Sequence, residues 1–381
     1  MESLDTNIPE SFDIGSEVII QEPFMVSLPT PTKKRSRISS GSSLGENEKR
    51  QKFYDGSLDF LAGLKATGKM VEGCFGKMTL VKDQRRVLVR TGRRPVYTLV
   101  VADKQQIVDF DDVEGYNTNM RLLMRPGVRE HPFILNVMRT MQTEHFAVTM
   151  VSQSGKFSLM DLMLRFARTG STFPEEITRL YLAQLSTALD FLHGSEGFIL
   201  RSLNPHSLIV DAKSNICIAD LSMAVPLDHE DMVLKKYPDL PWLAPEVASG
   251  RPCQPSADFF GLGAIGYLLV EQTFAEVDGR PLVFSQKVSK RLQNFIEVCL
   301  VRDHEGRRVN CFDDAARHRL FRNVNWLDVL SKLKFADSDF VEEWNIKQDI
   351  SDEEEDLVDS VVNCEEPPMA EEDQQNFDIF Y

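Results

Sequence analysis

The sequence predicts an α+β fold, in which a β-rich first part is followed by a helical second part. Short runs rich in β-branched residues indicate strands at 78–82, 86–90, 96–101 and 144–151. Beyond Pro174 the apolar residues instead recur at helical spacing, which is typical of an amphipathic helix. Strands that come before the helices, rather than alternating with them, favour two separate lobes.

The helical part has a recognisable beginning. Pro174 followed by Glu175 marks the N-terminus of a long helix, which the periodicity extends to near Gly194. Two strand-like segments follow it, at 207–211 and 216–220. The rest of this part is predicted to be mostly helical.

Composition divides the chain into three parts. Residues 1–56 are rich in Ser, Thr, Pro and charge, which predicts a disordered basic arm. A folded domain is expected over 57–323, with a small lobe at about 63–151 and a large lobe at about 152–323. Residues 324–381 are expected to form an acidic tail.

The net charge of −15 comes from the end of the chain. Residues 337–381 contain 17 acidic residues and one lysine, a net charge of −16, which leaves +1 for the rest. This balance does not suit nucleic acid or an anionic membrane as a partner. The longest apolar segment, 259–270, is shorter than the roughly 18 residues of a membrane span. We therefore expect a buried core helix there, and neither a nucleic-acid nor a membrane partner.

Cysteine usage and two basic groups bear on location. The six cysteines form no metal-binding or paired pattern, which is typical of a reduced, intracellular setting. Basic groups at 33–37 and 49–52 are similar to a two-part nuclear import signal over 33–52. A solvated basic patch is the alternative. We expect the protein in the cytoplasm, the nucleus or both.

Four segments in a fixed order resemble protein kinases. Residues 71–78 (VEGCFGKM) are similar to the glycine-rich loop that closes over ATP phosphates, and 198–207 (FILRSLNPHS) to the catalytic loop. Asp220 begins a segment in the place of the metal-binding Asp-Phe-Gly, and 243–246 (LAPE) matches the Ala-Pro-Glu segment that ends the activation segment. The resemblance covers roughly 63–323 and implies a bilobal protein-kinase-like fold.

Further residues resemble the AGC group, which contains protein kinases A, B and C. They are His131 with the following Pro-Phe-Ile, Asp303 with Arg307, and Asn325 with Trp326. At the end of the chain, Phe377, Phe380 and Tyr381 resemble the group's hydrophobic motif, which docks in a pocket of the small lobe. A chance aromatic cluster is the alternative. The resemblance leaves open whether the motif docks on its own chain or on a partner.

The resemblance also places unusual residue types at the positions that carry catalysis in kinases. They are Val100 for the phosphate-gripping lysine, Asn119 for its glutamate partner, Ser202 for the catalytic aspartate, Asn204 for the following lysine and Ser207 for the metal-binding asparagine. Phosphoryl transfer depends on positioning and charge neutralisation, and removing one such group costs about 10²–10³-fold in rate. We therefore expect a pseudokinase that has no catalytic residues and is not an enzyme.

Some nucleotide-binding positions keep their family residue types. They are Gly73, Gly76, Thr149, Met150 and Asp220. Asp220 is one carboxylate without its partner ligand, which makes a weak Mg²⁺ site. We expect no cofactor, at most weak ATP binding, and neither magnesium nor another metal.

Four charged residues match positions that stabilise the large lobe in kinases. Arg201 belongs to the catalytic loop, and Asp258 matches the carboxylate that bonds the backbone of that loop. Glu246 and Arg307 match a buried ion pair that anchors the activation segment. Ordinary surface charge is the alternative for Glu246, Arg307 and Asp258.

These features lead to one functional expectation and one alternative. The expectation is a scaffold or allosteric regulator that binds another protein, either an active kinase or a kinase substrate. The alternative is an atypical serine/threonine protein kinase with residual ATP binding.

Overall fold

A computed structural model describes most of the predicted domain and part of the tail. It covers 56–66, 71–73, 76–85, 95–152, 155–169, 173–211, 214–228, 236–237, 240–277, 280–285, 287–332, 357–364 and 369–380. The basic arm up to residue 55, the import signal at 33–52, the strand predicted at 86–90, and Tyr381 lie outside the described residues.

The small lobe is built on a six-stranded antiparallel sheet. Its strands are β1 (Leu64–Ala66), β2 (Val71–Gly73), β3 (Gly76–Asp83), β4 (Val96–Asp103), β5 (Val137–Gln142) and β6 (Phe146–Val151). The order is β1-β3-β4-β6-β5, with β2 also paired to β3. The register sets Val100 of β4 opposite Met78 on one side and Thr149 on the other. These three residues therefore form one row across the sheet.

Three helices follow β4 in the small lobe. They are α1 (Lys104–Asp109), α2 (Val113–Leu123) and α3 (Pro126–Glu130). The Asp103 carboxylate begins α1 by accepting the backbone N–H groups of Gln105 and Gln106, which satisfies donors that a helix start leaves unpaired. Along α2 the buried residues include Tyr116, Met120 and Leu123. Their spacing of three to four residues is that of one helical face, and this face lies towards the sheet.

The large lobe is mainly helical. Its helices are α4 (Leu159–Thr169), α5 (Glu175–Asp190), a π-helix (Phe191–Glu196), α6 (Pro245–Ala248), α7 (Ser256–Glu271), α8 (Lys290–Cys299), α9 (Phe312–Arg317) and α10 (Trp326–Leu330), with 3₁₀ turns at His304–Gly306 and Arg319–Phe321. Five short strands are β7 (Gly155–Ser158), β8 (Phe198–Ile199), β9 (Leu208–Asp211), β10 (Ile216–Ile218) and β11 (Val225–Pro226). Helix α5 begins where the sequence predicts.

Helix α7 forms the centre of the large lobe. Every residue from Ser256 to Val270 is buried, as expected for an apolar helix without a polar face. This confirms the core helix predicted at 259–270. No described helix is long and apolar enough to cross a membrane.

The described tail segments lie on the small lobe. They are α11 (Leu357–Val362), α12 (Glu371–Gln374) and a 3₁₀ turn (Gln375–Phe380). Val358 and Val361 of α11 are buried in a cluster with Leu61 and Leu64. A sheet-based small lobe and a helical large lobe together confirm the bilobal kinase-like fold.

Candidate functional site

A cavity lies between the lobes, where the row Met78, Val100 and Thr149 faces α2 and the large lobe. Its volume is about 50 Å³. The lining residues are Met78, Val100, Ala102, Tyr116, Asn119, Met120, Leu123, Leu135, Ala147, Thr149, His206, Ser207, Ile209 and Ala219. The structure thus brings Val100, Asn119, Thr149 and Ser207, which the sequence singles out separately, to one place.

The positions of the expected ion pair are occupied by neutral side chains. Val100 contributes only methyl groups to the cavity wall. Asn119 is buried on α2, and its Oδ1 accepts the backbone N–H of Leu221 at 2.9 Å. An amide therefore connects α2 to the start of the activation segment, next to Asp220.

The nearest lysine along β4 lies elsewhere. Lys104 is fully buried, and its Nζ donates to the carbonyl of Thr143 at 2.8 Å and to Oε1 of Gln374 at 3.1 Å. Gln374 also donates to the carbonyl of Glu144. Lys104 is thus part of the contact with the tail, not of the cavity lining.

The catalytic loop holds its unusual residues in local hydrogen bonds. Oγ of Ser207 donates to the carbonyl of Asn204 at 2.9 Å, and Oδ1 of Asn204 accepts the N–H of His206 at 3.0 Å. Ser202 is partly buried in the same loop. These bonds fix the loop backbone, and Asp220 is the carboxylate that remains among the catalytic positions identified from the sequence.

Asp220 lies directly after the cavity-lining residue Ala219. Its Oδ1 accepts the backbone N–H of Ser222 at 2.8 Å. Burial raises the pKa of this carboxyl group, while the hydrogen bonds from Ser222 oppose the shift. A nearby cation would lower the pKa of this carboxyl group.

The glycine-rich loop closes onto β4. Gly73 pairs with Gly76 across the turn between β2 and β3. Gly76 has a φ of +135°, and a Cβ there would collide with the carbonyl of Val101. Only glycine allows this approach. Beyond Thr149, Met150 is buried.

Asp258 organises the catalytic loop from the start of α7. Its carboxylate accepts the backbone N–H groups of Leu200 at 2.8 Å and Arg201 at 2.6 Å. His193 of the π-helix contacts the same carboxylate through Nε2 at 2.7 Å. Arg201 adopts a left-handed backbone with a φ of +68°. His193 lies outside the kinase-like motifs of the sequence, and no motif spacing predicts this contact.

Glu246 and Arg307 form a two-bonded ion pair inside the large lobe. Nη1 of Arg307 lies 2.6 Å from Oε1 of Glu246, and Nη2 lies 2.9 Å from Oε2. The side chains of Arg307 and Glu246 are 0% and 3% exposed, respectively, so these are not ordinary surface charges.

Phe377 packs against the small lobe of its own chain. Its ring is fully buried and meets Tyr116 edge to face at 5.8 Å, and Nζ of Lys104 lies 5.3 Å from the ring centre. Gln142 donates through Nε2 to the carbonyl of Phe377 at 3.0 Å, and Asn117 donates to the carbonyl of Asn376 at 3.0 Å. Phe380 ends the 3₁₀ turn.

Comparison with known proteins gives a consistent family. The family model of the protein kinase domain matches residues 100–321. The cAMP-dependent protein kinase type 3 of Saccharomyces cerevisiae is 27% identical over 277 residues, which are 68% of this chain and 65% of the relative. The cAMP-dependent protein kinase catalytic subunit of Schizosaccharomyces pombe is 27% identical over 285 residues, covering 68% of this chain and 50% of the relative.

A third similar protein is also named as a protein kinase. Protein kinase C-like 1B of Caenorhabditis elegans is 26% identical over 283 residues, which are 69% of this chain and 37% of the relative. The chain thus spans between 37% and 65% of the length of these three relatives.

These matches correct two expectations. The expectation that the chain is not an enzyme is wrong, because the family and relatives named as protein kinases point to an enzyme. The expectation of no cofactor and no magnesium is wrong for the same reason, since kinase relatives imply ATP and Mg²⁺. The changed residue types alone do not demonstrate inactivity. Asp220 is retained, and Asp258 still supports the backbone of the catalytic loop.

The matched segment runs from the cavity-lining Val100 to Phe321 of the large lobe, more than half of the 381 residues. It includes the catalytic loop, Asp258 and the pair of Glu246 with Arg307. The chain therefore belongs to the protein kinase domain family, and its relatives are of the AGC type.

Proposed function

We propose that the protein is an atypical serine/threonine protein kinase of the AGC type, which transfers phosphate slowly from ATP. The observation that carries this proposal is the support of the catalytic loop by Asp258, which accepts two backbone N–H groups at 2.8 and 2.6 Å. Phosphoryl transfer relies on such positioning more than on covalent chemistry by the protein. These two bonds hold the backbone of the catalytic loop in one geometry, which such positioning requires.

Asp220 fits the requirement for a metal ligand. Magnesium is commonly held by one or two carboxylates together with the phosphates of the substrate, and the Asp220 carboxylate has a raised pKa that a cation would lower. When bound, Mg²⁺ supplies neutralisation of phosphate charge. The chain's own part is to hold this carboxylate beside the catalytic loop, through the N–H of Ser222.

Val100 and Asn119 explain why a slow reaction is expected. Neither side chain carries a charge, so the phosphates lose one cationic contact on the protein. Removing one such stabilising group costs about 10²–10³-fold in rate. The glycine-rich loop, closed onto β4 at Gly76, leaves backbone N–H groups as the protein donors to phosphate. The expected enzyme is therefore weak, with strong dependence on the metal.

Metal-dependent nucleotide binding and transfer test this function. Thermal unfolding of the full chain is followed against ATP with Mg²⁺, with Mn²⁺ and without metal, and radiolabelled phosphate transfer to a mixed-peptide substrate is measured in parallel. We expect a metal-dependent stabilisation and slow transfer, both lost in Asp220→Asn. Asp228→Asn, outside the cavity lining, is the control and should keep both. Absence of any ATP effect in the unchanged chain, or transfer that persists in Asp220→Asn, would contradict the proposal.

A protein partner forms the second part of the proposal. Phe377 supports this part, because its ring packs on Tyr116 and its carbonyl accepts Nε2 of Gln142. A kinase or a kinase substrate with a similar motif would compete for this position, or the released tail would enter a pocket on the partner. Binding of a purified AGC kinase is compared between the unchanged chain and the Phe377→Ala, Phe380→Ala double variant. Equal binding by both would count against a role for the motif.

A further inference from the structure

The first and the last described segments of the chain meet at the turn between β5 and β6. On the N-terminal side, a helical segment over 56–61 carries the buried Ser57. Oγ of Ser57 accepts the backbone N–H of Gln142 at 3.3 Å. On the tail side, the carbonyl of Phe377 accepts Nε2 of the same Gln142 at 3.0 Å. One buried residue of the turn therefore bonds to both segments.

The tail also bonds to the residues that follow Gln142 in this turn. Nζ of Lys104 donates to the carbonyl of Thr143 at 2.8 Å and to Oε1 of Gln374 at 3.1 Å. Nε2 of Gln374 donates to the carbonyl of Glu144. Removing the tail would take one hydrogen-bond partner from Lys104 and one from Glu144. Because buried polar groups are costly to leave without partners, the position of the turn depends on the docked tail.

A second contact joins the same two parts of the chain without using the turn. Val358 and Val361 of α11 are buried in one apolar cluster with Leu61 and Leu64. Leu61 is the last residue of the helical segment that carries Ser57. Apolar surface that two segments bury against each other returns to water when either segment leaves. Each segment therefore stabilises the other.

We propose that residues 56–64 and the tail segments 357–362 and 374–377 form one cooperative layer on the small lobe, in which release of either end loosens the other. The polar link through Gln142 and the apolar link through Leu61 and Val361 both couple them. Local opening in proteins commonly involves such contiguous units, and coupling between two sites acts in both directions.

The coupling has a consequence for the basic arm, because the residues before 56 join the fold at this layer. A protein that captured the tail would loosen the attachment of the arm, and a protein that captured the arm would loosen the tail. The inference goes beyond phosphate transfer and does not depend on it, since neither nucleotide nor metal takes part.

Amide hydrogen exchange of the full chain, without ATP or metal, measures the coupling. In Ser57→Ala the buried N–H of Gln142 loses this acceptor. We expect exchange at 374–377, more than 300 residues away in the sequence, to become about fivefold faster or more, the lower end of usual coupling between sites. In Phe377→Ala we expect an acceleration of similar size at 57–64.

Ser186→Ala is the matched control. Ser186 is also a buried serine, and its Oγ donates to the carbonyl of Leu182 within α5 of the large lobe, so exchange at both segments should stay unchanged. If Phe377→Ala does not fold, Val361→Ala loosens the tail at α11 instead. Acceleration confined to the segment that carries the substitution would overturn the proposal, and so would an equal acceleration in Ser186→Ala.

Discussion

Asn119 stands where the kinase resemblance places a glutamate, and it connects α2 to the activation segment through a neutral hydrogen bond. Its Oδ1 accepts the N–H of Leu221 at 2.9 Å inside the protein. A glutamate there, without a lysine at Val100, would place an unpaired charge in an apolar cavity, which is far more costly than a buried amide with a partner. The two replacements are thus consistent with each other: valine removes the cation, and asparagine removes the anion.

The pair of Glu246 and Arg307 allows a stability prediction. Because both side chains are buried and joined by two bonds of 2.6 and 2.9 Å, Glu246→Ala leaves a guanidinium without its partner. We expect the free energy of unfolding to fall by about 3–5 kcal/mol, measured by urea denaturation. Asp313→Ala is the control, since Asp313 and Arg317 are 68% and 78% exposed, and it should change stability by less than about 1 kcal/mol. Equal decreases in the free energy of unfolding for Glu246→Ala and Asp313→Ala would contradict this prediction.

His131 makes stability depend on pH. Its ring stacks on Phe191 at 4.8 Å, and burial, aided by the positive charge of Lys332, lowers the pKa of His131 from 6.5 to about 4. Between about pH 4 and pH 6.5, His131 therefore binds a proton in the unfolded chain but not in the folded chain. We expect stability to be lost as the pH falls from about 6.5 towards 4, by up to about 3 kcal/mol.

The replacement His131→Asn isolates this contribution. Asparagine does not titrate, and its side-chain oxygen can accept the N–H of Phe133, which Nδ1 of His131 accepts in the structure at 3.2 Å. Chemical denaturation is compared between pH 7 and pH 4.5. The variant should lose less stability than the unchanged chain over this range, and an identical slope would exclude His131 as the source.

At the scale of elements, the junction after α5 shows what a periodicity argument misses. The pattern predicts a helix to near Gly194, and the structure changes from α-helix to π-helix at Phe191, ending before Gly197 with a φ of +73°. The wider turn carries His193 to the carboxylate of Asp258. Apolar spacing reports which residues face the core, and it does not distinguish an α-turn from a π-turn with the same buried face.

Within the tail segment at 369–380, Phe377 is the residue with a fully buried ring. Phe377→Ala removes a fully buried ring that contacts Tyr116 and Lys104, and such a truncation costs about 3–5 kcal/mol in a packed site. We expect faster amide hydrogen exchange across residues 374–377 and faster proteolysis of the tail. Gln375→Ala, at an exposed position of the same turn, should leave both rates unchanged. Unchanged exchange in Phe377→Ala would show that the tail is held by other contacts.

At the scale of the whole molecule, two contacts connect distant parts of the chain. Nη1 of Arg125, just before α3, lies 2.8 Å from Oε2 of Glu196 in the π-helix, and the guanidinium lies 4.7 Å from the ring of Phe198. The tail then covers the small lobe through Val361 and Phe377. The lobes and the tail are therefore joined by packing and not only by the chain.

Removing the tail should change charge and surface together. A chain that ends at Ala336 loses a net charge of −16 and is left with +1. We expect its isoelectric point to rise from about 5.0 to above neutrality, and an apolar dye to bind where Val361 and Phe377 were packed. Isoelectric focusing and dye fluorescence measure the two effects. The full chain with Val358, Val361 and Phe377 all replaced by Ala should bind dye without the charge change, and a truncated chain that binds no dye would contradict this role of the tail.

Sequence patterns alone predict the two lobes, the start of α5, the core helix α7 and the order of the kinase segments, because local periodicity and motif order do not depend on contacts between distant residues. The sequence also identifies Val100 and Asn119 as unusual residue types at kinase positions. The expectation drawn from them, that the chain is not an enzyme, is wrong. Three other features are visible only in the folded chain: the meeting of these side chains in an uncharged cavity, the contact of His193 with Asp258, and the packing of Phe377 on its own small lobe. Each depends on side chains far apart in the sequence, which become buried and find their partners only when the lobes pack.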